Sequence, residues 1–171
     1  GVEHPVGEDV TALEVGAHRA ALLCAHRRAG SDTWATANAL AAAREWIGGT
    51  DLVLCGISAL DGETGQVGPS VAQRLDWPQA TGCESLSVEG RSLLARRVVE
   101  GGYERLRLPR PAVVTVGETG FAPRYPTLPN RRRAAAATIE RIGAADIGVG
   151  ADAVGLAASP TKVARMVSSP L

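Results

Sequence analysis

The sequence predicts an α/β fold: a doubly wound, mostly parallel sheet interrupted by an antiparallel hairpin and followed by a C-terminal arm. Three observations predict it. Apolar runs alternate with helix-periodic segments through the first half, the pattern of a parallel sheet with helices on both faces. The run Asp51-Leu52-Val53-Leu54-Cys55-Gly56-Ile57 is nearly all apolar, as a strand buried on both faces would be. Two further runs meet at Glu100-Gly101-Gly102, a hairpin turn in which glycine supplies positive φ.

Taken in order, Gly7 to Gly16 reads as a strand and Arg19 to Cys24 as a second. Only Gly16 to His18 separate them. A parallel crossover needs about a dozen residues, so the literal reading is a tight hairpin. Ser31 and Asp32 are good N-caps, and the helix after them carries Leu40, Ala43 and Ile47 on one face until Gly48-Gly49 ends it. Trp34 and Trp46 read as helix-packing residues, and His18 and His26 as surface or hydrogen-bonded histidines. Val67, Val71 and Leu75 mark the next helix.

After Trp77-Pro78 the pattern becomes two-periodic. Thr81 to Val88, Leu93 to Val99 and Tyr103 to Leu108 are strands; in the last, Arg105 and Arg107 alternate with Leu106 and Leu108, so one face is wet. Glu100 and Glu104 are hairpin charges. Pro111 leads the apolar strand Ala112 to Val116. Pro123 to Asn130 holds three prolines and no period, which excludes a helix or central strand and leaves a stiff exposed loop tipped by Leu128. That leucine either tucks into its own core or waits for a partner. Asn130 would cap a helix from Arg131 to Ile142, with Arg131-Arg132-Arg133 opposing its dipole. Such charge suits an acidic partner or a solvated face. From Gly143 onward glycine and alanine dominate without a core-forming period, as in an arm that lies on something else.

Composition narrows the function. Lys plus Arg equals Asp plus Glu, at 18 each, which argues against a nucleic-acid binder. Apolar residues make up 45% and aromatics 4%, so the core is aliphatic and alanine-rich. Cys24, Cys55 and Cys83 lie far apart in apolar runs, without metal-ligand spacing, and read as buried thiols of a reducing cytoplasm. There is no signal peptide and no apolar run long enough to span a bilayer. No catalytic constellation is found.

The candidate site is Asp61-Gly62-Glu63-Thr64-Gly65-Gln66-Val67-Gly68-Pro69, between an apolar strand and a helix. Glycines let backbone approach a phosphate, and the helix N-terminus favours an anion. Thr64 and Gln66 add side-chain hydrogen bonds. The plain alternative is a glycine-rich turn and nothing more. Ligands of open parallel sheets collect at the carboxyl ends of strands, where this loop lies, which favours a nucleotide.

Four stretches carry a resemblance. They are Ile57-Ser58-Ala59-Leu60 with Asp61 to Pro69; Ala95 to Leu106 with Pro111 to Thr115; Pro123-Arg124-Tyr125-Pro126-Thr127-Leu128-Pro129-Asn130; and Ala145 to Val149 with Ser159-Pro160-Thr161-Lys162-Val163. In this order they resemble the electron transfer flavoprotein β subunit family, from about Ala17 to Met166. The resemblance implies a sheet of the adenine-nucleotide α-hydrolase-like type over residues 1–145 and an arm, 146–171, towards an α subunit. It implies FAD shared with that α subunit, and AMP or a second FAD held by Ile57, Ser58, Ala59, Leu60, Asp61, Gly62, Glu63, Thr64, Gly65, Gln66 and Val67. It implies an electron carrier rather than an enzyme, fed by acyl-CoA or related dehydrogenases and emptied towards a quinone reductase. Tyr125 and Leu128 fall in the stretch that docks to those dehydrogenases. The loop is shorter than that of AMP-only members and nearer the bifurcating type, although those often have alanine where Gly65 stands. The family also places a helix between the first two strands, so segments are expected to be missing at Val6/Gly7 and Gly16/Ala17. Two other readings are a stand-alone adenine-nucleotide module of the universal-stress type and an adenylating enzyme. The latter would need a Ser-Gly-Gly-x-Asp-Ser loop after the first strand, which the sequence lacks.

Overall fold

The computed structural model describes residues 8–23, 30–60, 62–150 and 152–164. Its elements in chain order are α1 (Glu8–Glu14), β1 (Ala21–Leu23), α2 (Thr33–Ile47), β2 (Leu52–Gly56), α3 (Val67–Leu75) and β3 (Gln79–Glu89). Then come β4 (Ser92–Val99), β5 (Gly102–Pro109), β6 (Ala112–Val116), α4 (Leu128–Ala136), β7 (Glu140–Ile142) and α5 (Gly155–Ala158). They form two compact units. One is built from the chain up to residue 24 and from 122–143; the other from 25–121 and 144 onward.

In the smaller unit β1 pairs in parallel with β7, Ala21 opposite Glu140 and Leu23 opposite Ile142. Arg19 clamps Glu140 with Nε and one terminal nitrogen, at 2.8 and 2.9 Å. The strand expected over Gly7 to Gly16 is instead the helix α1. Val10 and Leu13 are three residues apart and share a helix face, Leu13 is buried, and Ala12-Leu13-Glu14 are strong helix formers. No hairpin therefore joins it to β1. The helix expected from Arg131 to Ile142 starts earlier and stops earlier. Thr127, not Asn130, is its N-cap, with the hydroxyl accepting the Asn130 N–H at 3.4 Å and Pro129 in the first turn, where no N–H is missed. It ends at Ala136 because β-branched Thr138 and Ile139 follow and favour extended backbone, and residues 140–142 enter β7. The arginines thus lie beyond the first turn. Arg133 donates to the carbonyls of Leu13 and Ala17, at 3.4 and 3.2 Å, and so satisfies the end of α1 with a cation at its negative pole.

The larger unit holds a mixed sheet in the order β2-β6-β3-β4-β5. β2, β6 and β3 run parallel; β3, β4 and β5 form the antiparallel excursion, with Gly101 at positive φ in the β4–β5 turn. Alternation along β6 sorts the core. Val113 meets Val71 and Ala72 of α3 and Ala37 of α2 on one face. Ala112 and Val114 join Ala80, Cys83, Leu93, Ala95 and Leu108 on the other. Both α2 and α3 thus cover the same face. The second helical layer of a doubly wound fold is not among the described elements of this unit. For the same reason β2 is not buried on both faces: it is the edge strand, and Leu54 stays 57% exposed while Val53 and Cys55 pack under α3.

α2 begins as expected, with the Asp32 carboxylate accepting the Ala35 N–H at 3.0 Å, and Gly48 ends it at φ 68°. Its buried face is alanine, at 35, 37, 39, 41 and 43, whereas Leu40 and Ile47 are exposed. The described residues after 143 cluster with this unit, and Val154 and Ser159 are buried.

Candidate functional site

Two side chains decide where the loop after β2 sits. A Cβ at Gly68 would collide with the Thr115 methyl, so only glycine lets the first turn of α3 lie directly on β6. The Thr115 hydroxyl accepts the Gly82 N–H at 2.9 Å and fixes that spot from the sheet side. The N-terminus of α3 is thereby held at the carboxyl end of β2, where the chain emerges at Gly56.

The expected site residues form that junction. Ile57, Ser58, Ala59, Leu60, Gly62, Glu63, Thr64, Gly65 and Gln66 are all exposed, Leu60 at 98%, and Val67 is half-buried. Asp61 lies outside the described residues. The Glu63 N–H closes a turn on the Ala59 carbonyl at 2.9 Å, and Gly65 sits at φ 63°. Gln66 accepts the Thr33 hydroxyl at 3.2 Å through Oε1, which ties the loop to the start of α2. No side chain caps α3, so its first-turn N–H groups face the loop without a carboxylate of their own.

Two hollows adjoin here and share Thr64 and Val67. The inner one, of about 190 Å³, is walled by Leu40, Cys55, Gly56, Ile57, Gly65 and Gly68, among others. The outer one, of about 490 Å³, runs between the N-terminus of α2 and the loop, past Trp34, Thr36, Gly62 and Thr161. Together they have the size of a small-ligand cleft, with the N-termini of two helices, of 15 and 9 residues, on their walls. A groove of about 460 Å³ on the β3–β4–β5 face is lined by strands only, with Arg96, Arg105 and Arg107, and offers neither a helix N-terminus nor a glycine loop.

Sequence reasoning missed the outer wall. Trp34 is 53% exposed rather than packed, and it lines the groove. The Ser-Pro-Thr stretch was visible as a motif, but nothing local said where it would go. It returns to α2: Thr161 donates its N–H and hydroxyl to Asp32 Oδ2, at 2.9 and 2.8 Å, while Ser159 Oγ accepts the Asp32 N–H at 2.9 Å. The Ala35 N–H at the cap, helped by Thr161, holds the Asp32 carboxyl below the usual carboxylate range. The tail clasp is fully present above the ordinary carboxylate pKa and is lost as pH falls through the depressed folded value. Asp32→Ala removes cap and clasp together. Trypsin should then cut after Lys162 several times faster than in the parent chain, and an unchanged rate would show that the tail is held by other contacts.

Neither described thiol is primed as a nucleophile, because burial pushes both Cys55 and Cys83 up. Among the described residues no three His, Cys, Asp or Glu side chains cluster as a metal site, and no helix is long and apolar enough to cross a membrane. In the smaller unit Tyr125 is 83% exposed and Leu128 64%. Leu128 does not tuck into its own core; it stands at the first turn of α4.

Comparison with known proteins adds a family match. The family model described as "Electron transfer flavoprotein domain" matches residues 3–147. The "Electron transfer flavoprotein subunit beta" of Thermoanaerobacterium thermosaccharolyticum is 40% identical over 158 residues, which cover 89% of this chain and 58% of that protein. The "Caffeyl-CoA reductase-Etf complex subunit CarD" of Acetobacterium woodii is 39% identical, covering 92% and 60% respectively. "Protein FixA" of Rhizobium meliloti is 42% identical, covering 91% and 56%. The chain thus spans a little over half the length of the relatives it matches.

Proposed function

The chain belongs to the electron transfer flavoprotein domain family, and from that premise we propose that it is the β subunit of an electron transfer flavoprotein. It works in a heterodimer whose α subunit holds most of the FAD site. Electrons come from dehydrogenases such as acyl-CoA dehydrogenases and go towards a quinone reductase. The observation that carries this reading is the junction of β2 and α3: a glycine-bearing loop, an uncapped helix start and a second helix N-terminus around one cleft, in a chain of this family. The sheet that supports it is of the adenine-nucleotide α-hydrolase-like type.

The cleft fits a nucleotide. It has backbone N–H groups for phosphate, no Cβ at Gly65 to block approach, and apolar walls in Leu40, Ile57 and Val67. The occupant is AMP or a second FAD. A bound flavin would supply the redox chemistry, and this chain's residues hold and orient it. Ile57 to Leu60 shape the entry, Gly62 to Gln66 face the phosphates, and Thr33 holds Gln66 in register. Tyr125 and Leu128 dock the dehydrogenase. Residues 146–171 lead towards the α subunit, anchored by Ser159 and Thr161 on Asp32. The free thiols of Cys55 and Cys83 suit the cytoplasm.

Co-expression with an α subunit tests the pairing. A yellow heterodimer on a sizing column is expected. A nucleotide-binding monomer or homodimer that ignores the α subunit would favour the stand-alone module instead.

A further inference from the structure

Trp34 is the second residue of α2, in its first turn, and is left half exposed on the wall of the outer cleft, which Thr64 and Gln66 also line. It is not loose. Arg74 of α3 lays its guanidinium over the indole, 3.9 Å from the ring centroid, and donates to the Trp34 carbonyl at 3.3 Å. The Arg74 Nε is buried without a hydrogen-bond partner among the described residues. Such a group carries a desolvation cost, so the guanidinium is held where it stacks rather than where all its donors are met. Trp46, on the same helix, does not line the cleft, and Trp77 is covered by Arg44 at 4.4 Å. A ring fixed from one side by a cation and open to a cleft is a stacking surface.

We propose that Trp34 is the stacking platform for the planar heterocycle of the nucleotide in this cleft, with Arg74 as its positioning residue. The inference rests on the nucleotide reading above and adds which part of the ligand is held, and by what. The loop and the α3 N-terminus take the phosphates; the indole takes the ring. The ligand class is therefore a nucleotide with a fused aromatic ring, and the ring is either adenine or isoalloxazine.

The test is a titration of the full chain, stripped of nucleotide, with AMP and with FAD, followed by tryptophan fluorescence and by equilibrium dialysis. Binding that quenches fluorescence is expected. Trp34→Ala should weaken it about tenfold to a hundredfold, the usual range for loss of a base–aromatic stack. Trp34→Phe should keep most of the affinity and lose most of the quench, which separates a missing ring from a misfolded chain. Arg74→Gln should weaken binding less than Trp34→Ala. Loss for both ligands assigns adenine to Trp34; loss for FAD alone assigns the isoalloxazine. Wild-type affinity in Trp34→Ala for both ligands would overturn the platform and leave the nucleotide site standing. No binding of either ligand to the wild-type chain would overturn the site itself, and the platform with it.

Discussion

Gly65→Val empties the cleft of nucleotide while the fold survives. Gly65 sits at φ 63°, where a β-branched residue is strained by about 1–3 kcal/mol. Inside the protein there is room: an added Cβ would meet the Ile57 carbonyl oxygen at an ordinary 3.5 Å. The damage therefore falls outward, on the side where backbone must come close to a phosphate, and on the loop conformation that aims the N–H groups. Loop strain of this size is small beside the stability of a domain, so the helix content of the variant should match the parent. Bound nucleotide should fall below about a tenth of the parent level. Gly62→Ala is the control, because Gly62 is not at positive φ and its Cβ would meet only the Thr64 methyl at 3.7 Å. Full occupancy in Gly65→Val would refute the placement of phosphate at this loop.

Leu128→Ala separates docking from cofactor binding. Leu128 is 64% exposed and begins α4 under the Thr127 cap, and alanine is a better helix former, so the variant keeps its structure. Nucleotide content should not change. Electron transfer from an acyl-CoA dehydrogenase should fall about thirtyfold, the effect of losing an interface anchor of about 2 kcal/mol. The loss should appear in the dependence on dehydrogenase concentration. Proline-braced backbone before the leucine lowers the ordering cost of such an anchor. Unchanged kinetics would remove Leu128 from the docking surface.

Most elements of the larger unit were legible because their signals are local. Asp32 and Gly48 bracket α2, the β4–β5 turn is set by Gly101, and β6 follows Pro111. The failures came where distant partners decide. Gly7 to Gly16 reads as a strand, yet α1 forms because Leu13 finds a buried place and Arg133, 120 residues away, satisfies the helix end. An alanine run predicted a longer α4, yet pairing with β1 takes residues 140–142 for a strand. The loop of the candidate site, between β2 and α3, was readable from its glycines. The outer wall was not, because Trp34 looks like any helix aromatic until Arg74 pins it, and Thr161 reaches Asp32 only through the fold.

The central claim is that the β2–α3 loop holds a nucleotide of its own. The direct measurement is to denature the purified heterodimer with its α subunit and quantify the nucleotides released by chromatography. The expected result is one FAD plus a second nucleotide per heterodimer. AMP as the second marks a simple shuttle; a second FAD puts a flavin against the loop. One FAD and nothing else would contradict the claim.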